Sequence, residues 1–288
     1  MEVHLVDGTF ELFRAYYGAP SFLSPSGVEV GATRSFLRNM KSFVLSGRAT
    51  HLAIAFDTVI ESFRNDIFAG YKTGEGLDPE IFNQFSLVEE GAQALGIVTW
   101  PMVEFEADDA LATAARKYAK YAKVDRVVIC SPDKDLMQCI DGEKIVCLDR
   151  LRNKLYRKDD ILEKFGIEPG SIPDYLALVG DDADGIPGIA KWGAKSSATL
   201  LQHYKHIENI PSAETAWGVQ VRGAKALAQN LNNEKKAALL YKKLATLRYD
   251  VPLSQSLSAL QWRGPNSESL QNFAKKIGDP KLAHFVES

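Results

Sequence analysis

Short apolar runs recur along the first half of the chain, and an acidic residue follows each of them closely. The runs are Val3–Val6, Leu52–Phe56, Val127–Ile129 and Lys144–Leu148. The acids that follow them are Asp7, Asp57, Asp133 with Asp135, and Asp149. Between the runs, apolar residues repeat with the period of a helix over roughly 31–46, 81–95 and 107–122. Strands that alternate with helices predict an α/β fold whose mostly parallel sheet is flanked by helices.

The second half of the chain has a different pattern, because the strand-like runs stop after about residue 150. Helical segments with short connections follow, at Asp159–Phe165, Ile172–Val179, Ala194–His203, Arg222–Asn230 and Asn233–Leu247. Glycine, proline and lysine residues between 66 and 80 predict a mobile loop. The pattern therefore predicts an α/β part followed by a helical part.

Acidic residues are concentrated at three places in this arrangement. Ligands of parallel sheets bind beyond the carboxyl ends of the strands, where the pattern places Asp7, Asp57, Asp133 and Asp135. The helix predicted at 107–122 begins with Glu106, Asp108 and Asp109, and one loop contains Asp181, Asp182 and Asp184. Capping a helix needs only one or two acids, and larger clusters repel one another unless they bind cations.

The residue types in these clusters indicate which cation would bind. Carboxylates without accompanying histidine or cysteine favour Mg²⁺ or Mn²⁺, and the spacing of a calcium-binding EF-hand is absent. Two such ions ~4 Å apart can activate a water molecule and stabilise the leaving oxygen in phosphodiester hydrolysis. The clusters therefore predict a two-metal hydrolytic site.

A glycine-rich hairpin, Gly185–Ser197, lies between two predicted helices directly after the acidic loop. A glycine turn before a helix start presents free backbone N–H groups to a phosphate. Lys191 and Lys195 add positive charge that suits the nucleic-acid backbone rather than its bases. A plain linker between two helices is the alternative interpretation.

The overall charge hides an asymmetry along the chain. The 288 residues contain 34 Lys and Arg against 37 Asp and Glu, a formal net charge of −3, but residues 185–250 carry a net +6. The asymmetry suggests an acidic site beside a basic docking surface, with a solvated, lysine-rich helical face as the alternative, and a near-neutral total therefore does not exclude a nucleic-acid partner. No apolar run approaches the ~20 residues that span a bilayer, and the N-terminus lacks the pattern of a secretory signal. With three widely spaced cysteines, these features lead us to expect a cytoplasmic protein.

Several short motifs, in this order and spacing, resemble the bacterial 5′–3′ exonuclease and flap endonuclease family, which includes the N-terminal nuclease domain of bacterial DNA polymerase I. The motifs are Val6-Asp7-Gly8, Arg14-Ala15-Tyr16, Ala55-Phe56-Asp57, Ser62-Phe63-Arg64, Tyr71-Lys72, Glu106-Ala107-Asp108-Asp109, Pro132-Asp133-Lys134-Asp135, and Gly180-Asp181 with Asp184 and Ile186-Pro187-Gly188. The resemblance extends from about Val3 to about Leu247, and the chain resembles a stand-alone member of the family.

The resemblance implies a fold and a site. The expected fold is a PIN-like α/β nuclease core at 1–170, with a helical arch at about 66–100, followed by a helical DNA-binding region at 171–288. A helix–three-turn–helix is expected at Ile186–Ala198. The implied metal ligands are Asp7, Asp57, Glu106, Asp108, Asp109, Asp133, Asp135, Asp181 and Asp184. The implied catalytic residues are Lys72, at the base of the arch beside the scissile phosphate, with Asp7, Asp109 and Asp133.

The same resemblance implies which residues contact DNA. They are Arg14, Arg64, Tyr71, Lys72, Gly188, Lys191, Gly193, Lys195, Ser196 and Ser197. A potassium ion is expected at the backbone of Ile189 and Trp192. Two features depart from the family pattern. Thr73-Gly74-Glu75 follows Lys72 where the family has an arginine, and Lys191-Trp192 replaces a Gly-Ile pair.

These features together lead us to expect a structure-selective 5′–3′ exonuclease and flap endonuclease. It would hydrolyse DNA at single-strand/duplex junctions with two Mg²⁺ or Mn²⁺ ions and act as a monomer on 5′ flaps, ends or junctions, with RNA primers left open as substrates. The alternatives are a catalytically silent DNA-junction binding protein and a PIN-type endoribonuclease. The full acidic set with Lys72 argues against the first, and the basic glycine hairpin argues against the second.

Overall fold

The computed structural model describes residues 1–284. The strands are β1 (Glu2–Asp7), β2 (His51–Asp57), β3 (Val98–Met102), β4 (Arg126–Cys130), β5 (Ile145–Asp149) and β6 (Lys154–Tyr156). The α-helices are α1 (Gly8–Gly18), α2 (Gly31–Leu45), α3 (Phe63–Ile67), α4 (Pro79–Phe82), α5 (Phe85–Ala94), α6 (Ala107–Ala119), α7 (Lys158–Phe165), α8 (Ile172–Val179), α9 (Ala194–Tyr204), α10 (Ala224–Asn233), α11 (Lys235–Ala245) and α12 (Ser267–Lys276). Short 3₁₀ helices occupy Leu136–Cys139, Pro169–Ser171, Ile207–Asn209, Glu214–Ala216, Leu257–Leu260 and Pro280–Ala283.

These elements form two compact units, and each unit is built from separate stretches of the chain. The first, the sheet unit, contains Met1–Ser62, Gly74–Ser131 and the chain from Tyr249 onward. The second, the helical unit, contains Phe63–Thr73 and Pro132–Arg248. Within residues 1–284, every helix is too short or too polar to span a lipid bilayer.

The sheet unit is organised around four parallel strands in the order β3-β2-β1-β4. Val3, Leu5 and Val6 of β1 and the segment 53–55 of β2 are completely buried. Parallel strands covered on both faces read as continuous apolar runs, which is why β1, β2 and β4 could be recognised in the sequence. The expectation of a mostly parallel sheet flanked by helices is confirmed.

The sequence pattern missed two elements of the sheet unit. Strand β3 has no continuous apolar run, since Pro101 interrupts it, and proline is tolerated there because β3 is the edge strand. Helix α1 starts directly after β1, where Gly8 allows the helix to approach β2 closely. A Cβ atom on Gly8 would lie 2.4 Å from the Phe56 ring, so any other residue would separate the two elements.

The helices predicted for the sheet unit are largely confirmed. The segments 31–46 and 107–122 correspond to α2 and α6. The segment 81–95 forms two helices, α4 and α5, because the chain turns at Asn83 and Gln84. Residues 66–100, the expected arch, therefore contain an irregular stretch and two short helices, and the strand β3 begins within the same range.

The helical unit contains the antiparallel pair β5 and β6 together with α7–α11. The prediction that strands stop after residue 150 is wrong for β6, a strand of three residues that is too short to show a period. The helices at 222–230 and 233–247 are confirmed with shifted ends, as α10 and α11.

A buried carboxylate at the start of α8 ties the helical unit together. Asp174 is fully buried, and its Oδ1 accepts hydrogen bonds from the backbone N–H of Ile207 at 2.8 Å and from Lys242 of α11, also at 2.8 Å. Its Oδ2 lies 2.9 Å from Nδ1 of His206. One side chain thus connects α8 with α11 and with the connection after α9, and it fixes the scaffold on which the glycine hairpin is mounted.

Candidate active site

In the sheet unit, acidic side chains gather at the N-terminus of α6. Oδ1 of Asp57, at the end of β2, accepts the backbone N–H of Ala107 at 2.7 Å. The side chain of Asp109 accepts the N–H of Glu106 at 3.1 Å, and the two residues form a reciprocal capping box. Capping therefore engages three carboxylates, since the helix dipole and free N–H groups favour negative charge here. Asp108, in the same turn, is half-buried.

Asp7 lies at the end of β1, and both of its oxygens accept hydrogen bonds. Oδ1 accepts the N–H of Phe10 at 2.9 Å, which caps α1, and Oδ2 accepts the hydroxyl of Ser131 at 2.9 Å. Similarly, the hydroxyl of Ser62 donates to Glu106 at 2.7 Å. These two serines orient acids that were predicted as metal ligands. Sequence reasoning did not single out Ser131, whose one signal is its position directly after a buried strand.

In the helical unit, three of the predicted ligands come together. Asp135, Asp181 and Asp184 are largely buried, and one oxygen from each lies within 4.8 Å of the others. The loop that carries two of them is closed by paired hydrogen bonds between Asp181 and Ile186, at 2.7 and 2.8 Å. Asp133, the fourth predicted metal ligand in this unit, accepts the N–H of Asp135 at 2.9 Å.

The electrostatics of this acidic triad, Asp135 with Asp181 and Asp184, favour a bound cation. Burial, followed by the charges of Asp133 and Asp184, raises the pKa of Asp135 well above its usual range. Within the described residues, Oδ1 of Asp135 is buried and accepts no hydrogen bond. A buried carboxylate oxygen is costly in this state, and a divalent cation with oxygen ligands would relieve the cost. The residues present therefore fit a divalent metal ion.

Two lysines already contact the triad. Nζ of Lys72 lies 3.0 Å from Oδ1 of Asp184, and Nζ of Lys134 lies 2.6 Å from Oδ2 of Asp181. Burial, the largest single influence, tends to raise the pKa of Asp184, but the charge and hydrogen bond of Lys72, a hydrogen bond with Asp135 and the charge of Lys134 together lower it. The sequence predicts Lys72 as a site residue, whereas Lys134 occurs there only as part of the motif Pro132–Asp135. The sequence feature that could have identified Lys134 is its position between two acids, Asp133 and Asp135.

The glycine hairpin lies between α8 and α9, as predicted, but its residues differ in exposure. Lys191 and Lys195 are exposed, whereas Ile189, Trp192 and Ser197 are buried. The indole N–H of Trp192 donates to the carbonyl of Leu227 at 3.1 Å, and the carbonyl of Ile189 accepts the N–H of Trp192 at 3.0 Å. These two residues thus anchor the hairpin, and a potassium ion at their backbone stays a prediction.

The remaining residues of the hairpin and of the expected arch range from buried to exposed. Gly188 is buried, and a Cβ atom there would lie 2.6 Å from the backbone nitrogen of Gly180, so this position supports the turn. Gly193 is exposed and immediately precedes α9, and Ser196 is half-buried in its first turn. Glu75, which follows Lys72 where the resemblance led us to expect an arginine, is exposed.

Lys191, where the resemblance led us to expect a glycine, lies at a position that requires an unusual backbone conformation. Its φ angle is +70°, in the left-handed region that disfavours residues with a Cβ atom. We expect Lys191→Gly to raise the free energy of unfolding by about 0.5–1 kcal/mol, after allowing for the extra entropy of glycine in the unfolded chain. Lys195→Gly, inside α9, should lower it by a similar amount. Urea titration of both variants tests this, and a loss of stability in both would contradict it.

Three predicted DNA contacts are engaged within the protein. Arg64 is 1% exposed, and its guanidinium donates to the carbonyls of Leu244 and Thr246 at 2.8 and 3.3 Å. Tyr71 is buried, and its hydroxyl donates to Asp184 at 3.3 Å. Arg14 forms an ion pair with a buried acid, Glu11. These contacts give Arg64 and Tyr71 structural roles, and direct binding of DNA by the three residues stays a prediction.

Carboxylates at the ends of parallel strands, a buried acidic triad and a lysine-bearing glycine hairpin define the class of divalent-metal-dependent nucleases with an α/β core. The chain belongs to the 5′–3′ exonuclease family. Residues 2–166 match the model of its N-terminal resolvase-like domain, and residues 167–268 match that of its C-terminal SAM fold. Members of this family are hydrolytic nucleases, so the predicted class of enzyme is confirmed.

Relatives with curated names agree with this assignment. The 5′–3′ exonuclease of Aquifex aeolicus is 30% identical, over 99% of this chain and 95% of its own length. The DNA polymerase I of Rhizobium leguminosarum is 33% identical over 98% of this chain. The chain spans 28% of the length of that polymerase, and 32% of the polymerase of Bacillus caldotenax.

Solved structures share the fold at low sequence identity. The T5 5′-exonuclease with bound zinc ions superposes with a TM-score of 0.67 at 20% identity, covering 99% of this chain and all of that one. The catalytic core of Rad2 in complex with a DNA substrate gives a TM-score of 0.61 at 16% identity, covering 96% of this chain and 88% of that one. At these identities the likeness concerns the fold.

Proposed function

We propose that this protein is a 5′–3′ exonuclease and flap endonuclease that hydrolyses DNA phosphodiester bonds at single-strand/duplex junctions with two divalent metal ions. The observation that carries the proposal is the buried triad, in which an oxygen of Asp135 has no hydrogen-bond partner among residues 1–284. Such a group is costly in a protein that only binds DNA, because it brings negative charge toward phosphates. In a catalytic metal centre, the same carboxylate would serve as a ligand of the metal ion.

We infer that both carboxylate sets bind metal. In the sheet unit the ligands are Asp7, Asp57, Glu106, Asp108 and Asp109. In the helical unit they are Asp133, Asp135, Asp181 and Asp184. When bound, divalent ions supply an activated water and neutralise charge on the phosphate. The hydrogen bonds from Ser131, Ser62 and the start of α6 hold the sheet-unit carboxylates in fixed orientations, so that little reorganisation is needed when metal binds. Mg²⁺ is our first choice for the ion and Mn²⁺ our second.

Lys72 is the side chain that we assign to the phosphate. Its backbone is fixed on both sides, since its N–H donates to the carbonyl of Asp184 at 3.1 Å and its carbonyl accepts the side-chain amide of Asn65 at 2.9 Å. Its ammonium group can pair with Asp184 or with a phosphate placed near the triad. A positive charge held there would stabilise negative charge that develops on the phosphate during hydrolysis.

Docking of duplex DNA is assigned to the glycine hairpin. Lys191 and Lys195 are exposed around the start of α9, where free N–H groups suit a phosphate. Ser197 is buried, and its hydroxyl has no hydrogen-bond partner within residues 1–284, so it is available to a ligand of the hairpin. A potassium ion bound by the backbone of Ile189 and Trp192 completes the proposal for this region.

The proposal also includes the domain limits 1–170 and 171–288, a monomeric state and a cytoplasmic, nucleoid-associated location.

Cleavage of a 5′-labelled flap substrate by the purified protein, with and without Mg²⁺, tests the proposal. We expect cleavage near the junction that requires the metal, and no cleavage in its absence. Single-stranded RNA of the same sequence serves as the control for an endoribonuclease. Tight binding of the flap without any cleavage in Mg²⁺ or Mn²⁺ would reject the enzymatic proposal and favour a DNA-junction binding protein.

Lys72→Ala is expected to lower kcat about 10²-fold while changing the affinity for flap DNA by less than about threefold, because the lost charge acts mainly in the transition state. Single-turnover cleavage and equilibrium binding in Ca²⁺ measure the two quantities. Lys158→Ala removes an equally charged lysine whose ammonium group pairs with Glu168, and should leave both unchanged. Equal losses of kcat and affinity in the first variant would contradict the assigned role.

A further inference from the structure

Side chains of the protein itself neutralise most of the negative charge of the triad. Three carboxylates and two ammonium groups, those of Lys72 and Lys134, leave a formal charge of −1. Nζ of Lys134 lies 2.6 Å from Asp181 and 4.0 Å from Oδ1 of Asp135, the oxygen that accepts no hydrogen bond in residues 1–284. This ammonium group therefore occupies space between two carboxylates that a divalent cation would use.

We propose that Lys134 is an internal counter-ion that competes with the divalent metal for Asp135 and Asp181 and so sets the metal affinity of the helical unit. The proposal rests on the metal centre of the proposed function. Metal and ammonium group cannot both lie against the same carboxylate oxygens, because like charges at such distances repel each other strongly in a partly buried site. Binding of the metal therefore requires the lysine to turn away.

The surroundings of Lys134 allow this exchange. Its side chain is 36% exposed, and the flexible four-carbon stem of a lysine can move its ammonium group into water without moving the backbone. Asp181 and Asp135 are almost completely buried, so they stay in place when the lysine leaves. Without metal, the lysine limits the repulsion within the triad and keeps its carboxylates close together. The same charge weakens metal binding.

Titration of the protein with Mn²⁺ alone tests the proposal. Binding is measured by calorimetry and by the electron paramagnetic resonance signal of the Mn²⁺ that remains free. Lys134→Gln removes the charge and keeps much of the length, and it should tighten Mn²⁺ binding by about five- to twentyfold. Lys134→Arg keeps the charge and should stay within about twofold of the wild type. Lys158→Gln, which breaks a surface pair with Glu168, controls for the change in net charge and should have no effect. Unchanged or weaker binding in Lys134→Gln would overturn the proposal.

Stability gives a second measurement that a purely structural role would not reproduce. Without metal, Lys134→Gln should lower the urea midpoint because the triad loses a counter-ion, and saturating Mn²⁺ should remove most of this difference. An equal loss with and without Mn²⁺ would reject the competition. Failure of the proposed function is distinguishable, since wild-type protein would then bind no Mn²⁺ at the triad. In that case Asp135→Asn would not change the titration.

Discussion

Asp135→Asn is expected to lower kcat/KM for flap cleavage by at least about 10³-fold, while the metal-free protein becomes more stable by about 1–2 kcal/mol. The two effects have one cause. The carboxylate is buried beside Asp133, Asp181 and Asp184, which raises its pKa and makes its negative charge unfavourable in the absence of a bound metal ion, although Lys134 offsets part of the effect. Asparagine has nearly the same shape without the charge. The substitution therefore stabilises the metal-free protein and weakens metal binding.

Single-turnover cleavage and urea titration in EDTA measure the two effects. Asp182→Asn is the matched control, because Asp182 lies in the same loop as Asp181 and Asp184 but is exposed. That variant should cleave within about threefold of the wild type and keep its stability. A variant at Asp135 that loses activity and stability together would show that the carboxylate holds the fold rather than a metal ion.

Arg64→Ala is expected to lower the free energy of unfolding by about 3–4 kcal/mol, the range for a large buried side chain whose loss leaves polar partners unpaired. The guanidinium group binds the carbonyls of Leu244 and Thr246, at and just after the end of α11, and lies 4.6 Å from the centre of the Phe63 ring. It therefore joins α3 to the C-terminal end of α11. Urea denaturation followed by circular dichroism measures the loss.

Arg248→Ala provides the comparison, because Arg248 contacts the same ring of Phe63 at 5.3 Å but is exposed. We expect it to cost less than about 1 kcal/mol. The salt dependence of DNA binding separates a structural Arg64 from one that contacts DNA. Removal of a phosphate contact lowers the slope by about one, whereas a structural role leaves the slope of the folded variant unchanged. A reduced slope with full stability would contradict our assignment.

The sequence predicted those elements in which the pattern of apolar residues matches the faces that are buried in the structure. Strands β1 and β2 are covered on both faces and read as apolar runs, and α6 and α11 show the period of a helix with one buried side. Strand β3, the three residues of β6 and helix α1 gave no such signal. An edge strand can accept proline, a very short strand has no period, and α1 depends on a close approach that only Gly8 permits.

The sequence by itself determined the chemistry of the site, because carboxylates in the absence of histidine and cysteine restrict the bound metal to hard cations, and their motifs identify the family. The tertiary structure decided which side chains are near one another. It brought Asp135, Asp181 and Asp184 together, placed Lys134 between two of them, and buried Arg64 against backbone carbonyls. Distances between residues far apart in the chain depend on packing, which a local pattern does not record. The sequence therefore predicts which kind of metal ion the carboxylates bind, but it does not predict which lysines pair with those carboxylates.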